Sequence, residues 1–149
     1  MSVMSERLQL LRNENGISQQ KMAENIGTTR TNYKNYESMQ TAPPISVLIK
    51  IAVTFDISID YLTGRIDERR TISETYDLER IIAFSDRVKE LRKLQGFTQE
   101  YVAKAIGLAF KSTYVSYERA EKEPSFPRLI ALADLFGVSL DYLVGFNEK

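Results

Sequence analysis

The sequence predicts an all-α protein built as two five-helix domains in tandem, and three observations lead there. The chain repeats itself, most visibly as SIDYLTG at residues 58–64 and SLDYLVG at residues 139–145. Within each copy the apolar residues return every three or four positions, the period of a buried helix face. Glycine, serine and threonine punctuate both copies at the same places, as helix ends require.

Shifting the chain on itself by 80 residues superposes Arg7 on Arg87, Leu11 on Leu91, Arg12 on Arg92, Gly16 on Gly96, Gln19 on Gln99, Ala23 on Ala103 and Ile26-Gly27 on Ile106-Gly107. Beyond that point the offset is 81, pairing Tyr33 with Tyr114, Tyr36-Glu37 with Tyr117-Glu118, Pro43 with Pro124, Leu48-Ile49 with Leu129-Ile130 and Phe55 with Phe136. The second copy has therefore gained one residue within LAFKST. Two units of this length are too long and too few for a stacked solenoid.

Leu8 and Leu11 open the stripe of a first helix that Gly16 stops, since glycine tolerates the left-handed backbone of a helix end. Ser18 caps a second helix, SQQKMAENI, with Met22, Ala23 and Ile26 inward. Gly27 makes a tight turn, and Thr28 or Thr29 caps a third helix, TRTNYKNYES. After the loop MQTAPP, a fourth helix is predicted to bury Ile45, Leu48, Ile49, Ala52 and Phe55. Phe126, Leu129, Ile130, Ala133 and Phe136 repeat that stripe. The fifth helix is short: Ser58 caps it, Asp60 sits in its first turn where the macrodipole favours an anion, and Gly64 ends it. Tyr61 and Leu62 are expected to close the core. The expected boundaries are a domain over 1–65, a partly helical linker over 66–85 and a domain over 86–149. Leu78, Ile81 and Ile82 lead into Val88 and Leu91, so the first helix of copy two is expected to start early, near Asp77. Its apolar face would then pack on a domain and fix the orientation of the two.

Composition narrows the chemistry. The chain has no cysteine and no histidine, which leaves no thiol nucleophile, no imidazole base and no zinc site of the usual kind. The acidic residues are scattered among basic ones in a helical pattern, so no catalysis, metal or cofactor is expected, and no small-molecule ligand is evident. No apolar run approaches the roughly 20 residues of a membrane span, and the start MSVMSERLQLL lacks a leader's pattern, so a soluble cytoplasmic protein is expected. The 20 basic and 20 acidic residues cancel, and any polyanion must be met by local arrangement. Basic residues number 7, 3 and 10 in segments 1–65, 66–85 and 86–149, against 6, 5 and 9 acidic ones. Each copy is slightly positive and the linker negative.

Helix, short glycine turn, helix is the form of a helix-turn-helix. The stretches GISQQKMAENIGTTRTNYKNYE and GFTQEYVAKAIGLAFKSTYVSYE, each followed by a proline loop, an apolar helix and DYLxG, resemble the Cro/C1-type (XRE) helix-turn-helix family over residues 6–65 and 86–146. The resemblance implies lambda-repressor-like domains that bind duplex DNA, with the third helix of each in the major groove. By that resemblance Thr29, Arg30, Thr31 and Asn35 occupy contact positions. Arg30 suits guanine O6 and N7, Asn35 suits adenine N6 and N7, and threonine suits a hydrogen bond or a thymine methyl. The alternative is a merely solvated helix side. Lys34 is assigned to a phosphate or to no contact, and by the resemblance Gln19 meets a phosphate at the start of the second helix, where free amides favour anions, the alternative being simple helix-start polarity. Tyr33 is assigned to the core rather than to stacking. In copy two Gln99, Lys111, Ser112, Thr113 and Ser116 carry over with the extra residue in between, so the third helix begins later or bulges. Phe110 fills the core, wedges against DNA or marks a protein-binding surface.

Function follows as a regulator that represses by occupying its site. A monomer would act as an internal pseudo-dimer on two unlike half-sites, with further self-association left open. Two alternatives stand beside it: an accessory factor marking a site for plasmid transfer, partition or recombination, and a protein-interaction module of the same fold without DNA binding.

Overall fold

The computed structural model describes residues 2–149. The chain divides into two compact units, Met1–Glu74 and Thr75–Lys149. Unit one holds α1 (Val3–Glu14), α2 (Gln19–Ile26), α3 (Arg30–Glu37), α4 (Ile45–Phe55) and α5 (Ile59–Leu62). Unit two holds β1 (Tyr76–Ile81), α6 (Phe84–Leu94), α7 (Gln99–Ala105), α8 (Lys111–Glu118), α9 (Phe126–Phe136), α10 (Leu140–Val144) and β2 (Phe146–Glu148). The five-helix plan is thus present in both copies.

The caps lie where serine and threonine announce them. Ser18, Thr29 and Ser58 accept hydrogen bonds from the amides of Lys21, Asn32 and Tyr61, three residues on in each case. Leu8, Leu11, Met22, Ala23, Ile26 and Tyr33 form the core of unit one with Leu48, Ala52, Tyr61 and Leu62. The inner face of α4 is rotated from the one expected: Ile51 is buried, whereas Ile49 and Phe55 are half-buried. Ile51 lies three residues from Leu48 and belongs to the same stripe, which is broad enough that its centre is not readable from spacing alone.

The repeated arginine and the repeated DYLxG segment explain each other. Arg7 of α1 donates to the carbonyls of Tyr61 and Ile66, the latter at 2.9 Å. Its guanidinium lies 4.1 Å from the centre of the Tyr61 ring. Arg87 of α6 repeats this on Tyr142, with hydrogen bonds of 2.8 Å to the Tyr142 carbonyl and 3.2 Å to that of Phe146 and a ring distance of 3.7 Å. One cation in each copy, half-buried for Arg7 and buried for Arg87, thereby satisfies a carbonyl of the short fifth helix and one just beyond it and ties them to the first helix.

The segment expected as a partly helical linker, 66–85, is not helical before Phe84. Its first half folds onto unit one: Asp56 accepts from the amides of Ile72 and Ser73 at 3.1 and 2.9 Å, the Ser58 amide donates to the Arg70 carbonyl at 2.8 Å, and Ile72 is fully buried. Its second half is β1, which pairs antiparallel with β2 with Asp77 opposite Asn147 and a register shift before Ile81. The helix of copy two therefore starts at Phe84 rather than near Asp77, and unit two is not purely α. The physical reason is a distant partner. The ladder with β2 satisfies the backbone of β1, and Tyr76 settles against Phe146 with its hydroxyl 2.8 Å from Ser139 Oγ. Gly145 is required here, because a Cβ would fall on the Ile82 carbonyl oxygen and φ is +125°.

The inserted residue of copy two can be placed. The Thr28 amide bonds the Ala23 carbonyl at 2.9 Å, and the Leu108 amide bonds that of Ala103 at the same distance. Thr29 and Phe110 then stand at the N-caps of α3 and α8, both eight residues long. Ala109 is the extra residue, absorbed in the turn. Of the two expectations, a later start holds by count, and α8 itself carries no bulge.

Candidate nucleic-acid interface

Helix α3 divides its residues by face. Tyr33 and Glu37 are buried beneath it, while Thr29, Arg30, Thr31 and Lys34 are exposed and Asn35 is half-buried. Thr29 orders the first turn, its hydroxyl accepting from the Asn32 amide at 3.1 Å, and the Asn32 side chain donates back to Thr28 at 3.0 Å. Beside that turn an open groove is lined by Arg12, Ser18, Gln19, Gln20 and Arg30. It brings together the two expected contact residues Gln19 and Arg30, which stand at the first positions of α2 and α3. Arg12 and Gln20 were not among the contact residues expected from sequence.

A buried cluster fixes this geometry. Glu37, 1% exposed, accepts from Arg12 Nε at 3.0 Å and from Gln19 Nε2 at 2.8 Å. Arg12 also holds the Ile17 carbonyl at 3.1 Å. One end of α1, the start of α2 and the end of α3 are thereby locked together. One of the two Nε2 hydrogens of Gln19 is engaged inward, which orients the side chain and leaves the second for an outside acceptor. The signal in sequence was the duplication itself: Arg12, Gln19 and Glu37 all recur as identical residues, the first two at an offset of 80 and the third at 81.

Copy two builds the same cluster more tightly. Glu118 accepts from Arg92 through Nε at 2.6 Å and Nη2 at 3.0 Å, and from Gln99 Nε2 at 3.2 Å. Burial works to raise the Glu118 carboxyl, but the hydrogen bonds from Arg92 and Gln99 help to outweigh it, and its pKa lies below the ordinary carboxylate value. The same hydrogen bond raises the Arg92 pKa. Burial pushes the phenols of Tyr33 and Tyr114 far up, so both stay neutral. Tyr33 is fully buried, a core residue as assigned.

The exposed first turn of the third helix differs in copy two. Lys111 and Ser112 are exposed at the start of α8 and Thr113 is half-buried. Ser116 is a correction: it is buried at 8% exposure, and its hydroxyl donates to the Thr113 carbonyl of its own helix. A short hydroxyl finds a local backbone acceptor more readily than the asparagine at the matching position of copy one. Phe110 is 71% exposed, which removes core filling from its three expected roles. Cationic side chains close the turn in both units, Lys50 donating to the Ile26 carbonyl at 3.3 Å and Arg128 to that of Ile106. They stand on different turns of α4 and α9 and perform the same C-terminal capping.

Among the described residues no group of acidic side chains is arranged to hold a metal ion, and no helix is long and apolar enough to cross a membrane. What the geometry defines is a pair of helix-turn-helix units, each with its third helix presenting its first turn outward. The chain belongs to the helix-turn-helix family of Cro/C1 (XRE) type: the family's profile matches residues 8–62 and again residues 88–143. It is similar to the HTH-type transcriptional regulator AnsR of Bacillus subtilis, 45% identical over 64 residues, which are 43% of this chain and 54% of that protein. It is also similar to the Bacillus subtilis HTH-type transcriptional regulator YobD, 40% identical over 65 residues, 44% of this chain and 57% of that one. A third relative is the cryptic phage CTXphi transcriptional repressor RstR of Vibrio cholerae, 45% identical over 60 residues, 40% of this chain and 54% of the repressor. The matched region is about half the length of these relatives, and it is the length of one copy.

Proposed function

We propose that the protein binds double-stranded DNA sequence-specifically and regulates transcription, repressing by occupying an operator of two unlike half-sites. The observation that carries this is the outward first turn of α3 beside the groove, where Arg30 and Gln19 meet over a helix that is otherwise anchored in the core. Arg30 offers a fork of donors for guanine, Asn35 for adenine, and Thr29 and Thr31 hydroxyls or methyls. The amides opening α2 and the outward hydrogen of Gln19 suit a phosphate, with Lys34 serving a second. The names of the relatives as transcriptional regulators and a repressor support the same reading.

In copy two Gln99 and Lys111 take the phosphate-facing places, with Ser112 and Thr113 beside the bases. Because the copies share one chain, binding by the first raises the effective concentration of the second, into the millimolar range for short linkers (~1 mM). The monomer then acts as an internal pseudo-dimer. Zero formal charge implies few phosphate contacts and a shallow fall of affinity with salt. The exposed Phe110 favours a second reading, a protein-interaction module of the same fold. Anisotropy titration of the full chain with genomic duplex fragments at two salt concentrations distinguishes them. Saturable binding to a subset of fragments is expected, and no binding at the lower salt overturns the DNA reading.

A further inference from the structure

The residue before each third helix is the point at which the two copies differ most in chemistry. Thr29 caps α3 through its hydroxyl. Phe110, at the same place before α8, lies in extended backbone at φ −130° and ψ 134° and makes no side-chain cap. Its ring is 71% exposed. It neither closes the helix end nor fills the core, so α8 gains nothing from an aromatic there that threonine would not supply better.

The polar inventory of the reading face contracts around it. Where copy one has Lys34, copy two has Val115. Where copy one has Asn35, copy two has Ser116, buried and hydrogen-bonded to Thr113. Lys111 and Ser112, which follow Phe110 in sequence, remain as exposed donors. Copy two thus has fewer groups able to read hydrogen bonds and one large apolar group beside them.

We propose that Phe110 is a specificity-determining residue that contacts the 5-methyl group of a thymine in the major groove, so that copy two discriminates on a methyl group where copy one uses hydrogen bonds. This rests on the proposed binding of duplex DNA. The thymine methyl is the largest apolar group on the major-groove edge of a base pair, and an aromatic ring with no polar atom can contact it but cannot read the hydrogen-bonding groups beside it. The inserted Ala109 lengthens the turn and lets the ring stand at the N-cap while α8 keeps its eight residues.

The test uses the full chain and its best duplex from selection among random sequences. Each thymine is replaced in turn by deoxyuridine, which keeps the pairing and removes only the methyl. In the half-site whose base preference survives Arg30→Ala, one thymine should show a loss of about 3- to 10-fold on replacement, the order expected for one buried methyl. Phe110→Ala should bind the thymine duplex with that same loss and show no further loss on deoxyuridine, whereas Phe110→Leu should stay sensitive to the methyl. An exposed position leaves folding intact, which a thermal melt of each variant checks. The inference is overturned if Phe110→Ala binds as the parent does, or if it loses equally on both duplexes. No binding of any duplex by the parent chain removes the DNA reading itself, an outcome distinct from binding that ignores the methyl.

Discussion

Beneath α3 and α8 lie the same three side chains in the same hydrogen-bonded arrangement, Arg12, Gln19 and Glu37 in one copy and Arg92, Gln99 and Glu118 in the other. On the outer side of the same helices hardly a residue is shared: TTRTNYKN faces AFKSTYVS, with only the buried tyrosine in common. A buried charge tolerates no partial replacement, because removing one partner strands the other in a low dielectric. An exposed first turn is under no such constraint. The duplication has therefore kept the frame that aims the helix and changed what the helix presents.

The frame supplies the largest expected effects. Arg92→Ala strands Glu118 and should destabilise unit two by about 3–5 kcal/mol, as breaking a buried ion pair does. Arg12→Ala should act likewise on unit one, no more strongly, because Arg12 makes a single hydrogen bond to Glu37 where Arg92 makes two to Glu118. Amide hydrogen exchange followed unit by unit reads both. A loss below about 1 kcal/mol in either would mean that the cluster behaves as a surface pair and the shared frame is not what holds the copies alike. The Glu118 pKa is lowered in the folded protein, so the unfolded chain binds more protons in the acid range. Its contribution is full above the ordinary carboxylate value and fades as pH falls through the folded pKa. Glu118→Gln should flatten the acid limb of the pH–stability curve of unit two, and an unchanged slope would contradict the assignment.

The reading faces supply the next. Arg30→Ala should relax base preference in one half-site by about 1–3 kcal/mol, whereas Lys111→Ala should weaken all sequences nearly alike and reduce the salt slope by about one. Binding of each variant to cognate and random duplexes separates the two, and equal losses on both duplexes for Arg30→Ala would take it out of the reading set. The smallest effects lie at the caps. Thr29→Ala should cost about 1 kcal/mol, and Phe110→Thr should stabilise unit two by about 0.5–1 kcal/mol by giving α8 the cap that α3 has. Urea titration of the two variants checks the pair, and a destabilised Phe110→Thr would show that the ring has a packing role after all.

Much of this was legible in sequence because it is local. Ser18, Thr29 and Ser58 cap helices through amides three residues away, and Gly27 and Gly64 end or turn them with positive φ. The strand β1 was not legible, because what makes Tyr76–Ile81 extended is a partner at Phe146–Glu148 on the far side of five helices. Ile81 and Ile82 fit a helical stripe equally well until that partner is present. Ser116 was misplaced for a subtler reason. Its register is that of Asn35, but a shorter hydroxyl reaches the carbonyl of its own helix and is drawn inward. The purpose of the repeated arginines was hidden too, since Arg7 and Arg87 meet their carbonyl partners more than fifty residues away.

The proposed function requires that one frame, used twice in one chain, carry two different reading faces toward duplex DNA. Selection of sites from random duplexes by the full chain tests it most directly. The expected result is a site with two unlike halves, of which Arg30→Ala blurs one and leaves the other sharp. Recovery of a strict palindrome, blurred equally on both sides by that substitution, would contradict it.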